Sequence, residues 1–243
     1  MRIVAIFGPT AVGKTGVAIA VAERLRERGE DPVAISCDAL QVYEGLGVLT
    51  GAATAAERAR LEHRLVGFVP VTQPFNVGDY MRAAHAEIDA ALVAGRRPIV
   101  VGGTGLYLRA ALAELSLTKV PAESEDSELW SPETRHPAIQ FGLEMDRALL
   151  YERIDARVEA IVAGGAEAEV RRAEELGPSR TARKALGFDE LLAGDLELMK
   201  KRSRNYARRQ LTWMRKIPNL TTIDRTGRGD GEVAAEILEA LGE

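Results

Sequence analysis

One cysteine, Cys37, in 243 residues leaves no partner for a disulfide and no set of thiols for a zinc cluster, which fits a reducing compartment. Histidine is almost as scarce. His63, His85 and His136 lie far apart, and each reads as an ordinary surface or packing residue rather than a metal ligand. No apolar run nears the roughly 20 residues a membrane-spanning helix needs. The N-terminus enters a strand-like run at once, without a secretory leader pattern. A cytoplasmic, membrane-free monomer is expected. Neither sign of charge dominates: 32 basic against 36 acidic side chains give a net of −4, too little for a protein that coats nucleic acid by bulk charge. The length suits a single α/β domain with a small appendage.

What is present is concentrated. Gly8-Pro9-Thr10-Ala11-Val12-Gly13-Lys14-Thr15 fits the Gly-x-x-x-x-Gly-Lys-Thr phosphate loop and follows the apolar run 3–7 directly. Glycines let the backbone curl so that successive N–H groups converge, and the dipole of the following helix adds positive potential. Lys14 can reach terminal phosphates, and the Thr15 hydroxyl can bind Mg²⁺.

Apolar runs at 3–7, 33–37, 65–69, 99–101 and 139–143 alternate with amphipathic stretches at 14–28, 77–94 and 104–115. That alternation predicts an α/β fold, a parallel P-loop sheet flanked by helices. Beyond Asp146 the pattern turns helical, at 146–163, 166–176 and 195–216, before a last strand at 220–224 and a closing helix at 232–241. Residues 118–135, rich in Glu, Asp, Ser and Pro, read as an exposed acidic linker, dividing residues 1–117 from 136–243 of one catalytic domain.

Ligands of such sheets collect at the carboxyl ends of the strands, where the phosphate loop, Asp38 and the Gly102-Gly103-Thr104-Gly105 turn all fall. Asp38 could hold a metal-bound water, accept a proton from a nucleophile, or merely cap a turn. The glycine turn allows close backbone approach, and Thr104 can serve as a helix cap. Between Lys200 and Lys216 stand eight basic residues and no acidic one, a stripe suited to a diphosphate or an RNA backbone. Tyr206 and Trp213, seven apart, fit a core stripe better than a base-stacking platform.

Four blocks in order carry a resemblance: the phosphate loop, Ile35-Ser36-Cys37-Asp38-Ala39-Leu40-Gln41-Val42-Tyr43, Val101-Gly102-Gly103-Thr104-Gly105-Leu106-Tyr107-Leu108, and Arg204-Asn205-Tyr206-Ala207-Arg208-Arg209-Gln210-Leu211-Thr212-Trp213. Together with Leu186-Gly187-Phe188-Asp189-Glu190-Leu191, they resemble the tRNA dimethylallyltransferase family. The resemblance implies that residues Gly8 to Thr15 hold the diphosphate of dimethylallyl diphosphate, with Mg²⁺ on Thr15. It implies further that Asp38, Thr104 and Arg204 are catalytic. Asp38, Ala39, Leu40, Gln41, Arg208, Arg209 and Gln210 would contact the target adenine and the tRNA anticodon stem-loop. In two respects the chain departs from that family: the acidic linker stands where a longer helical insertion is usual, and Ala39 and Ala52 replace a common Ser and Lys. Prenyl transfer to free adenosine phosphates needs no insertion and is the nearest alternative. A P-loop small-molecule kinase using ATP, or a non-catalytic RNA-binding remnant, are the others.

Overall fold

Ile3, Ala5 and Phe7 turn to one side of the first strand, Val4 and Ile6 to the other, and all five are buried. A strand apolar on both faces belongs in the middle of a parallel sheet covered by helices. The computed structural model, which describes residues 1–116 and 128–242, has that form. Six strands, β1 (Ile3–Phe7), β2 (Pro32–Ser36), β3 (His63–Arg64), β4 (Arg97–Gly102), β5 (Ala138–Glu144) and β6 (Leu220–Asp224), run parallel in the order β3-β2-β4-β1-β5-β6. The predicted α/β architecture is thus observed.

On one face lie α1 (Lys14–Glu27) and α10 (Asp230–Leu241), packed on each other. Against the other lie α4 (Val77–Val93) and α5 (Gly105–Leu112). Two short helices, α2 (Gly47–Thr50) and α3 (Ala55–Arg60), precede β3. The helical part predicted after Asp146 consists of α6 (Arg147–Ala163), α7 (Ala166–Leu176), α8 (Phe188–Ala193) and α9 (Leu196–Met214). The register pairs Phe7 with Gly102 and Ser36 with Val101, so the phosphate loop, the Asp38 turn and the glycine turn leave the sheet side by side. β1 sits where crossovers depart to both sides, the position at which such sheets bind ligands.

Two expectations need correction. The apolar run 65–69 is not a strand: Leu65 and Gly67 take left-handed φ values of 60° and 61°, and the strand is the preceding pair His63–Arg64, set by pairing with β2. Only Val69 bridges, to Tyr43. The linker expected at 118–135 lies largely outside the described residues; of its last part Pro132, Glu133 and Arg135 are exposed as expected, but Leu129 and Trp130 are packed on the domain. Leu129 is buried in a short 3₁₀ turn, Glu128–Trp130, and Arg109 grips it, donating from Nε to the Leu129 carbonyl (2.9 Å) and from Nη2 to that of Ser131 (2.7 Å). Trp130 packs on Trp213 at 5.0 Å between ring centroids.

Candidate active site

The phosphate loop is held open by backbone that few side chains tolerate. Ala11 and Gly13 adopt φ of 63° and 96°, turning consecutive amides toward one concavity. Val12 faces the other way, into the core. Gly13 is the N-cap of α1; no side chain caps that helix and its first turn carries no acid, so its amides stay available to an anion. The Lys14 ammonium lies across the loop mouth, donating to the carbonyls of Gly8 (3.0 Å) and Pro9 (2.9 Å). These residues open on a cleft of about 1040 Å³ whose walls include Thr15, Asp38, Leu40, Gln41, Arg157, Tyr206 and Gln210.

Asp38 is held by a tight turn, one carboxylate oxygen accepting from the Leu40 amide at 3.0 Å. Thr104 occupies the N-cap position of α5 without capping it. Its hydroxyl instead accepts from the Ala39 amide (3.2 Å), with the Tyr206 phenol nearby. Thr104 therefore fixes the Asp38 turn from behind, and Tyr206, which packing logic placed in the core, lines the cleft. Burial pushes the Tyr206 phenol up to about 12, so it remains a neutral donor. Gln41 accepts from Ser36 (3.1 Å) and donates to the Gly51 carbonyl (3.3 Å), which sets its amide in the cleft wall.

Three charges share this space. Desolvation lowers Lys14 to about 8, with Asp38 opposing that shift and Arg157 adding to it. Arg157, on α6, is itself depressed by burial and steadied by Asp38. It donates to the Gly51 carbonyl at 3.3 Å. Sequence reasoning missed Arg157, although it left a signal: Leu150, Ile154 and Val158 form the buried stripe of α6, and position 157 falls beside it. A guanidinium on that side needs a reason. Gly51 makes room for it, because at φ 58° a Cβ would overlap Arg157 Nη2 and come within 2.6 Å of Cζ. Gly51→Ala is therefore expected to displace Arg157 and weaken inorganic diphosphate binding about tenfold, with little change in secondary structure. Calorimetric titration with diphosphate, beside a circular-dichroism melt, checks it.

Arg204, expected at the reacting centre, does not line the cleft. Its Nη1 contacts both oxygens of Asp155 at 2.6 Å, tying α9 to the helix that carries Arg157. The unmixed basic stripe is answered from neighbouring helices: Lys200 meets Glu159 at 2.7 Å, and Arg202 pairs with Glu190. Arg208 and Arg209 stay exposed with no carboxylate partner among the described residues. Gln210, assigned to the RNA face, is buried instead. Its Oε1 accepts from Thr10 N and its Nε2 donates to the Gly103 carbonyl, both at 2.8 Å, so it joins the phosphate loop to the glycine turn. Among the described residues no cluster of metal-ligating side chains occurs, and no helix is long and apolar enough to cross a membrane. The three histidines hold local roles: His63 on the Leu61 carbonyl, His85 on that of Ala110, His136 on Asp89.

The IPP transferase family matches in two pieces, residues 41–131 and 117–217, and the isopentenyl transferase family matches residues 1–66. A tRNA dimethylallyltransferase of Salinispora tropica is 31% identical over 302 aligned positions, covering 98% of this chain and 92% of that protein. One from Thermobifida fusca is 34% identical over 281 positions, covering 90% and 88%. Among solved structures, the full-length tRNA isopentenylpyrophosphate transferase of Bacillus halodurans superposes with a TM-score of 0.85 at 27% identity, covering 99% of this chain and 96% of that one. A eukaryotic dimethylallyltransferase acting on tRNA shares the fold, with a TM-score of 0.75 at 20% identity over 93% of this chain and 74% of the other.

Proposed function

The chain belongs to the tRNA dimethylallyltransferase family, and from that premise we propose that it moves a dimethylallyl group from dimethylallyl diphosphate to the exocyclic amine of an adenine beside the tRNA anticodon. The observation that carries this is the meeting, in one cleft, of a phosphate loop with a carboxylate held opposite it. The adenine nitrogen attacks the allylic carbon, the carbon–oxygen bond to diphosphate breaks, and the amine proton passes to Asp38. Lys14, the loop amides and Arg157 hold the charge that gathers on the leaving group. Thr104 keeps the Asp38 turn in place through the Ala39 amide. Arg204 acts at one remove, through Asp155. Gln41 is set to read the base edge, which must be drawn out of its stack, as a loop nucleotide readily is.

A divalent cation fits the donor set. Thr15 lines the cleft at the start of α1, where a loop hydroxyl commonly holds magnesium together with substrate phosphates. Bound there, Mg²⁺ would neutralise part of the diphosphate charge. The exposed cations Lys201, Arg208, Arg209 and Arg215 on and beside α9 supply the surface for an RNA backbone. The Salinispora alignment runs to 302 positions against a chain of 243 residues, so that relative carries segments with no counterpart here. The two pieces of the IPP transferase match meet at residues 117–131, which favours the acidic segment as the place of a shortened RNA-gripping insertion. With radiolabelled dimethylallyl diphosphate, unmodified tRNA is expected to take up label and AMP is not. Label on AMP alone overturns the tRNA reading, and ATP consumption without prenyl transfer overturns both.

A further inference from the structure

Beside the cleft, one buried cation has no part in the chemistry above. Arg225, immediately after β6, is 5% exposed, and among the described residues its Nε and Nη1 have no hydrogen-bond partner. Among these residues Nη2 alone is engaged, with Asp230 Oδ1 at 3.0 Å and the Arg228 carbonyl at 3.5 Å. Other buried arginines are held more fully: Arg97 by Glu30 and the Arg2 carbonyl, and Arg109, with Nη1 alone unpartnered among the described residues, by the carbonyls of Leu129 and Ser131. A guanidinium buried with two nitrogens unpaired is a poor clamp and a costly one.

Its location gives the cost a purpose. The guanidinium rests on Gly13, where a Cβ would overlap Nη1 and come within 2.9 Å of Cζ. Asp230 presses on the same helix end: a Cβ at Gly16 would overlap its Oδ2 and lie 2.8 Å from Cγ. Arg153, in the cleft wall, feels both groups, depressed by burial and by Arg225 and raised by Asp230. A fixed positive charge thus stands directly behind the first turn of α1, where an anion would be held, with a carboxylate as its partial counterweight.

We propose that Arg225 is a positioning residue of the phosphate loop, a desolvated charge behind Gly13 that tightens the loop's grip on the donor's diphosphate, with Asp230 setting how much of that charge the diphosphate feels. The inference rests on the diphosphate reading of the loop. Binding of inorganic diphosphate by calorimetry, the split of donor KM from kcat, and thermal midpoints test it. Arg225→Met is expected to weaken diphosphate about tenfold and raise donor KM by a similar factor, with kcat within about threefold and no loss of thermal midpoint. Arg225→Lys, which keeps the charge, restores most of the affinity. Asp230→Asn moves the other way, tightening diphosphate about threefold, a sign that a merely structural pair does not produce. Unchanged diphosphate affinity in a folded Arg225→Met protein overturns the proposal. Should that variant not fold, Asp230→Asn decides: unchanged or weaker binding overturns it. Failure of the parent protein to bind diphosphate would instead overturn the reading of the loop itself.

Discussion

Lys14→Met is expected to cut kcat/KM for prenyl transfer about a thousandfold while leaving the protein folded. The side chain holds no structural bond except to the two loop carbonyls it crosses, so its removal leaves the sheet and α1 intact. What disappears is a point charge, already stripped of water, at the place where the leaving diphosphate gains one further negative charge. Its lowered pKa supplies a second readout. In the free protein Lys14 loses its proton near pH 8, whereas a bound diphosphate raises that value by attraction. Binding therefore takes up a proton above pH 8, and diphosphate affinity falls as pH rises through that range, by up to about tenfold per unit. The same titration in Lys14→Met should lose this component and keep only the pH dependence of diphosphate's own ionisation. Parallel pH slopes in the two proteins would assign the ionisation to another group.

Asp38→Asn is the second large effect, and it falls on a different quantity. A positioned general base contributes roughly 10²- to 10⁴-fold, so kcat is expected to drop by about that factor. Diphosphate affinity is not expected to suffer, because Asp38 is a negative charge among Lys14 and Arg157 and its loss removes repulsion for an anion. The variant also takes away a group that raises the Lys14 pKa, so the onset of pH-dependent weakening should move below 8. Single-turnover rates with tRNA and calorimetry with diphosphate separate the two quantities. Equal losses in rate and affinity would show that Asp38 holds the donor rather than the amine.

The parts of this molecule that were legible in its sequence are those whose signal is local. β1, α1 and β6 follow from apolar runs and a glycine motif, and α7 came out at its observed bounds, 166–176. α3 could not be seen by periodicity, since none of its residues is buried and its only mark is the Thr54–Glu57 capping box. β3 was misplaced because an apolar run is not always a strand: here left-handed Leu65 and Gly67 bend the run so that Leu65 and Val69 are buried and Phe68 is exposed. In the site, the phosphate loop and Asp38 could be read because their residue types announce their chemistry. Arg157 was hidden because its role depends on Gly51, which is more than a hundred residues away in the chain. The basic stripe misled for the same reason. Asp155 and Glu159, four apart on α6, meet Arg204 and Lys200, four apart on an antiparallel α9, and a linear count of charge cannot register that pairing.

The buried amide of Gln210 makes α9 a lever. Its two hydrogen bonds reach the phosphate loop at Thr10 and the glycine turn at Gly103, while Arg208 and Arg209, two residues and one residue earlier, face solvent. A polyanion that settles on the outer surface of this helix and shifts its axis must carry both loops along. Whatever free energy that shift adds to or removes from the seating of the donor is returned, in equal measure, to the affinity for the polyanion.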